Sequence, residues 1–424
     1  MSISLGIHQD EALARAVRDL ALEDHAWPAQ ELLRDSKTRP NDRYGWLREA
    51  GSRLWLDTGD AEAAEKVWAA ETEAVTTNNT LVNQVVQTGA MDGTVTYAAR
   101  RIRQVQPDIP ERDLVIEIGF LVNARLALGL VSRFGAHVSV ELHPDFGEDL
   151  EGTLTFARRY YQIDPDHFYI KVPMTPDGFV AVRQLSAEGI PVNYTLGFSA
   201  RQNYLAARFS RPAFVNVFLG RLNQLVEEND LGDPENVGEK AALASDEAVK
   251  GLRDSEPGLR TMQIAASMRN GRQVMTLAGI DVLTIPPKAA AEYLEMDITR
   301  GDIRPRLSEE LTVTPNPAKP VEAGELATLW EIEPDFVGFV QDAVSQADQI
   351  GSGRRLVDLS REHGVTLFHD WSADERARLR EKGKIPDVSQ WPGVPVDDLM
   401  SMSALEAFAK DQLELDERIA RLIR

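Results

Sequence analysis

Lys171 sits inside the run HFYIKV, flanked by Ile170 and Val172. A lysine in so apolar a strand loses hydration, which disfavours its ammonium form unless an acid pairs with it. The neutral amine is the nucleophile that condenses with a ketone to form an imine. An isolated strand lysine more often snorkels or forms a salt bridge, so its neighbours decide the reading. Asn193 and Thr195 stand two apart in PVNYTL and share one strand face. Glu141 lies near the end of HVSVEL, in step with Ser139 and His137, and Asp57 closes SRLWLD. Thr76 and Asn78 fall at the end of EAVTTNNT. Any one of these could be a strand-end cap or an ordinary loop polar. Together they supply an amine, two carboxylates able to move protons, and amides and hydroxyls able to orient a substrate.

Such a set needs elements that bring strand ends to one place. Eight β-rich runs recur from residue 52 onward: 52–57, 73–76, 137–142, 167–172, 191–196, 213–218, 261–266 and 281–285. Helical patterns such as AEAAEKVWAAE, DGFVAVRQLSAEG, SARQNYLAARFS and NGRQVMTLAG lie between them. Eight strands alternating with helices predict an α/β fold, a closed (β/α)8 TIM barrel whose chemistry sits at the C-terminal strand ends. An open doubly wound sheet would carry a glycine-rich phosphate loop after its first strand, and LDTGDAEA is not one. Residues 1–50 read as N-terminal helices packing on the barrel, with Ala12, Leu13, Val17, Leu20 and Ala21 at helical spacing. The barrel is assigned to 51–300, and 301–424 is expected to be a C-terminal extension ending in a helix that packs on it. The acid-rich stretch 225–257 reads as a surface insertion before the seventh strand, and the amphipathic run WEIEPDFVGFVQDAV as core packing.

The chain has 424 residues, 43% of them hydrophobic and 27% charged, which is globular composition with length enough for a large core. It has no cysteine, so disulfides, thiolate metal sites and cysteine nucleophiles are excluded. A formal charge of −21 argues against nucleic acid or an anionic membrane as partner. No run of eighteen apolar residues predicts a membrane span. The N-terminal run lacks a basic start and a cleavage site, which leaves the cytoplasm as the expected location.

The motifs, taken in order, resemble the transaldolase family, a class I, Schiff-base-forming group related to the fructose 6-phosphate aldolases. LWLDTGD and AVTTNNTL look like its opening, and FYIKVPMT followed by PVNYTLGFSARQNYLAA like its central signature. FLGR, AASMRN and LTIPPK match its later strands, and FAKDQLELDERIARLI its closing helix. The resemblance spans about residues 52–298 plus the last twenty. It implies that Lys171 forms the imine and that Asp57 exchanges the proton of the C4 hydroxyl. It implies that Glu141 and Thr195 handle water and protons during dehydration of the carbinolamine. Asn78 and Asn193, with Thr76 beside them, would orient the three-carbon fragment, and Arg221, Ser267 and Arg269 would hold a phosphate. An arginine fork suits that ligand, although either arginine alone would more often be a surface ion pair.

The implied reaction moves a dihydroxyacetone unit from a ketose phosphate, sedoheptulose 7-phosphate or fructose 6-phosphate, to an aldose phosphate in the pentose phosphate pathway. No cofactor or metal is implied, the partners are sugar phosphates, and assembly as a homo-oligomer stays open. Phe218 and Glu141 match the transaldolase choice where fructose 6-phosphate aldolases carry tyrosine and glutamine. Two positions depart from the family. Asn79 replaces a proline, and Asn216 with Val217 replaces a Ser-Pro pair, so the donor sugar is left open while Asn216 is still expected to reach a substrate hydroxyl. Alternatives are a related aldolase with another donor or acceptor, a non-catalytic sugar-phosphate-binding barrel, and a metal-dependent enzyme built on His137 and His143, for which no third ligand is evident.

Overall fold

Eight short parallel strands close on themselves in chain order: β1 Arg53–Asp57, β2 Thr72–Thr76, β3 His137–Glu141, β4 Phe168–Pro173, β5 Val192–Thr195, β6 Phe214–Phe218, β7 Met262–Ala266 and β8 Val282–Ile285. Every strand falls within a residue of the run read from the sequence, and the fold is the expected (β/α)8 barrel. The computed structural model describes residues 5–23, 39–307, 309–320 and 324–424, so expectations for 24–38 lie outside the described residues.

The register fixes what faces inward. Trp55 pairs with Thr284 on one side and Ala74 on the other, Glu141 pairs with Lys171, and Lys171 with Asn193. Because side chains alternate, Tyr169 occupies the same face as Lys171, one layer below it. There Tyr169, Trp55 and Phe214 pack together, with ring centroids 4.6–5.5 Å apart. These aromatics plug the barrel and give the residues above them a dry floor.

The strands are joined by helices with recognisable caps. Asn78 caps Asn79–Gln87 through Leu81 N–H at 2.9 Å, and Thr175 caps Pro176–Ala187 through Gly178 N–H at 3.0 Å. Three helices, Asn79–Gln87, Asp92–Val105 and Glu111–Phe134, lie between β2 and β3. The last is long and apolar enough to cross a membrane by length and composition, with a mean hydropathy of 1.9, but 72% of that window is buried inside the protein. Its apolar character belongs to the core, where it packs on β3 and beside the N-terminal helix Glu11–Leu22. That helix buries Leu13, Val17, Leu20 and Ala21, whereas Ala12 faces solvent.

Two expectations need correction. The stretch 225–257 is no surface insertion: Val237–Ser255 is a barrel helix that packs on β6 and β7, burying Ala241, Ala242, Ser245 and Val249. Its acidic residues misled the reading, yet two of the four, Glu239 and Asp246, are themselves buried. The run 61–71 is helical only over Ala61–Glu65, since Trp68 turns inward to stack on Phe134 at 4.3 Å.

Beyond β8 the chain wraps the barrel. Helix Pro334–Ser345 buries Phe336, Phe339, Val340 and Ala343, which is the core packing expected of that run. Helix Ala373–Lys382 packs on the long final helix Val396–Ile423. The final helix is anchored at its start by Arg201, whose guanidinium grips Asp397 with two 2.8 Å bonds, and further along by Arg418, which holds Asp92 at 2.7–2.8 Å. Between these anchors, Asn83 donates to Glu414 at 3.1 Å and Thr80 donates to Asp411. The helix therefore lies beside the C-terminal strand ends.

Candidate active site

Lys171 is 3% exposed and reaches up from β4. Its Nζ donates to Thr77 O at 2.8 Å and lies 3.1 Å from Glu141 Oε2 on β3. The pairing follows from the register, which sets Glu141 directly beside Lys171. Burial pushes the Glu141 carboxyl above its usual range, and neighbouring Asp57 adds to that, while Lys171 and Arg221 pull it back. Asp57, at the end of β1, is likewise raised, chiefly by burial and against the pull of Lys171, the Thr76 hydroxyl and Arg269. Thr76 Oγ1 donates to Asp57 at 2.7 Å and contacts Thr284 Oγ1 at 2.8 Å, so strands β2 and β8 both steady that carboxylate.

Asn193 Nδ2 donates to Ser139 Oγ at 3.1 Å. Its Oδ1, like the Thr195 hydroxyl two residues on, is buried with no partner among the described residues. Buried polar atoms of this kind are rare where only structure is served. Asp57, Thr76, Asn78, Lys171, Asn193, Asn216, Phe218, Arg221, Ser267 and Arg269 line one cavity at the mouth of the barrel. Glu141 and Thr195 do not line it: Glu141 stands beside Lys171 in the register, and Thr195 lies two residues beyond Asn193 on β5.

The far end of the cavity is cationic. Arg221, on helix Leu219–Glu228, is 6% exposed, and its Nη1 has no partner among the described residues. Its guanidinium lies 5.8 Å from the Phe218 ring centroid and 5.3 Å from that of Phe408 on the final helix. Burial, then the nearby Arg269, lower its pKa to about 10. Burial lowers Arg269 as well, against the pull of Asp57. Ser267, between them in sequence, adopts a left-handed φ of 65°. Its carbonyl packs so closely on Gly220 that a Cβ there would come within 2.1 Å, so glycine at 220 lets the β6 and β7 loops meet. Two arginines with spare donors at one end of the pocket are complementary in charge and geometry to a dianion.

One predicted contact is redirected. Asn216 lines the cavity, but its amide serves the backbone: Nδ2 donates to Tyr194 O, and Oδ1 accepts from Gly197 N–H at 3.2 Å. Strands β5 and β6 share a single register pair, Asn193 with Phe214, and the Asn216 amide bridges the gap above it. Asn79, the other departure, is buried and donates to Leu142 O at 3.3 Å, away from the cavity lining. His137 and His143 do not converge. His137 stacks on Tyr169 at 4.8 Å near the start of β3, whereas His143 lies beyond its end, 3.2 Å from Asp416.

Several lining residues were not singled out from the sequence. Thr284 was legible as a polar residue in VLTI on β8. Thr80, Lys384 and Phe408 gave no signal, because two of them lie about a hundred residues or more beyond the barrel strands.

A family model described as Transaldolase/Fructose-6-phosphate aldolase matches residues 54–333. The transaldolase of Allorhizobium ampelinum is 29% identical over 292 residues, covering 66% of this chain and 85% of that one. A protein of Desulfotalea psychrophila named "Probable transaldolase" is 31% identical over 226 residues, covering 53% of this chain and 90% of its own. Another so named, from Nitrosopumilus maritimus, is 36% identical over 154 residues, a match that covers 36% of this chain and 63% of that protein. Seven strands and all of β1 but its first residue, and with them Lys171, Asp57, Glu141 and both arginines, fall inside the matched span. The chain belongs to the transaldolase/fructose-6-phosphate aldolase family.

Proposed function

We propose that this protein is a transaldolase that carries a dihydroxyacetone unit from a ketose phosphate to an aldose phosphate as an imine on Lys171. The observation that carries the reading is the Lys171–Glu141 pair, buried at 3.1 Å above an aromatic floor with Asp57 across the cavity. The amine adds to the ketose carbonyl, and the resulting hydroxyl leaves as water on taking a proton from Glu141. A carboxyl held above its usual range by burial suits that donation. The iminium then accepts the electron pair of the C3–C4 bond as Asp57 removes the C4 hydroxyl proton. The aldose phosphate departs, and the enamine stays bound to Lys171. A second aldose takes up the enamine carbon at its carbonyl carbon, and its oxygen receives the proton from Asp57. Hydrolysis of the new imine frees the product. Passage through a covalent adduct divides one difficult transfer into two easier ones. Arg221 and Arg269 would hold the phosphate that orients each sugar.

Fructose 6-phosphate and sedoheptulose 7-phosphate are the donors proposed, which would place the enzyme in pentose phosphate interconversion. The engaged amide of Asn216 favours keeping one second reading, a transaldolase with another donor, because the group at that position does not offer a free hydroxyl. Borohydride trapping with fructose 6-phosphate, read by intact mass and peptide mapping, tests the proposal. A three-carbon adduct on Lys171 that is lost in Lys171→Ala is the expected result. No adduct with any ketose phosphate tried would overturn imine chemistry and leave a sugar-phosphate-binding barrel.

A further inference from the structure

The cavity has a cation that does not come from the barrel. Lys384 lines it together with Arg221, Arg269 and Phe408, and it belongs to the loop between helix Ala373–Lys382 and the final helix. The backbone of this loop is fixed from two sides. Ser403, on the final helix, donates to Gly383 O at 3.2 Å and to Lys384 O at 3.4 Å. Asn229, which ends the helix carrying Arg221, donates to Pro386 O at 3.0 Å and accepts from Val388 N–H at 2.9 Å. Ile385 is buried beneath. The loop is thus clamped between the two helices that supply Arg221 and Phe408. Gly383, at a φ of 97°, makes the turn that lets the chain leave the preceding helix there.

The side chain is in the opposite condition. Lys384 is exposed and makes no ion pair among the described residues, although the chain carries 67 acids against 46 lysines and arginines. Of the acids among the described residues, only Asp57 lines the cavity, whereas Lys171, Arg221, Arg269 and Lys384 all do. Burial and the nearby Arg269 lower Arg221 even though Glu141 and Asp411 draw it back, and burial lowers Arg269 against Asp57. A further positive charge lining the same cavity is unfavourable unless a multiply charged anion occupies the site. The planar arginines can fix the orientation of such an anion, and a mobile ammonium can follow it as a point charge.

We propose that Lys384 is the third cation of the anion subsite and contacts the phosphate of the bound sugar, so that the C-terminal extension sets the preference for phosphorylated over unphosphorylated acceptors. This rests on the transaldolase reading for its acceptor half alone, because the phosphate half concerns binding and can be measured without turnover.

The test uses the full chain with Lys384→Ala, Lys384→Arg and, as a control, Lys382→Ala. Lys382 is an exposed lysine two residues earlier that does not line the cavity. In calorimetric titration with inorganic phosphate, Lys384→Ala should weaken binding about five- to tenfold, while Lys384→Arg and Lys382→Ala stay within twofold of the parent. With glyceraldehyde 3-phosphate as acceptor, Lys384→Ala should raise KM by a similar factor and leave kcat within twofold. With glyceraldehyde, at saturating donor, neither acceptor constant should move, whereas the KM of the ketose phosphate donor should rise as that of glyceraldehyde 3-phosphate does. Unchanged phosphate binding, or an equal loss with both aldehydes, would overturn the assignment. If no transfer occurs with any acceptor, the transaldolase reading fails, and the phosphate titration still decides the role of Lys384.

Discussion

Glu117 and Glu141 are both buried glutamates beside a basic side chain, and their carboxyl groups shift in opposite directions. Glu117 lies in the helix Glu111–Phe134, where Arg159 grips it with two bonds of 2.6 and 2.7 Å and His8 adds a third at 2.7 Å. That network lowers its pKa to about 2 despite complete burial. Glu141 has one cationic contact, Lys171 at 3.1 Å, and burial prevails, raising it. The first glutamate has every oxygen engaged and joins the N-terminal helices to the barrel's outer layer. The second is left short of partners at the barrel mouth, beside a Thr195 hydroxyl in the same condition. Completed pairing marks a group that holds structure, and incomplete pairing one that awaits a ligand.

That contrast can be broken from either side. Lys171→Ala should lower turnover by about 10⁴-fold or more, because it removes the proposed nucleophile. Steady-state rates measured with the borohydride adduct would show it, and a variant that retained both would end the assignment. On the structural side, Arg159→Ala leaves the Glu117 charge buried with only His8 beside it. A loss of about 3–5 kcal/mol in urea unfolding is expected, and any variant that still folds should keep its Lys171 adduct. Glu141→Gln is the matched experiment. It should lower kcat by about 10²–10³-fold while leaving the unfolding midpoint unchanged or higher, since it removes an under-paired buried charge. A large fall in stability would mean that Glu141 holds structure as Glu117 does. The smallest effect is expected in acid. Because the folded pKa of Glu117 lies below its unfolded value near 4.3, its contribution is complete above that pH and is lost as pH falls toward 2. Unfolding curves from pH 5 to pH 2 should therefore show about 2–3 kcal/mol of sensitivity that Glu117→Gln lacks.

How far such groups can be read from a sequence depends on the distance over which they act. The strand ends carrying Asp57, Glu141, Lys171, Asn193 and Thr195 were legible because strand alternation and barrel geometry are local rules applied eight times. Thr284 obeyed the same rule and could have been included. Val237–Ser255 was misjudged because local acidity hides an apolar stripe at helical spacing. The Glu117–Arg159–His8 network was not anticipated, since its members lie 42 and 109 residues apart and nothing local couples them. Asn216 was expected to face a substrate, and nothing in the sequence reveals that β5 and β6 share a single register pair whose gap its amide fills. Lys384 and Phe408 reach the cavity through tertiary packing alone.

That last pair sets a timetable for the pocket. Phe408, which forms the aromatic face over Arg221, is synthesised long after Lys171, at translation speeds of roughly 5–20 residues per second a delay on the order of ten seconds or more. The barrel strands can close in that interval, yet the wall of the cavity beside Arg221 is not complete until the final helix docks. A nascent chain can therefore hold Lys171 in a closed barrel before the pocket around it is complete.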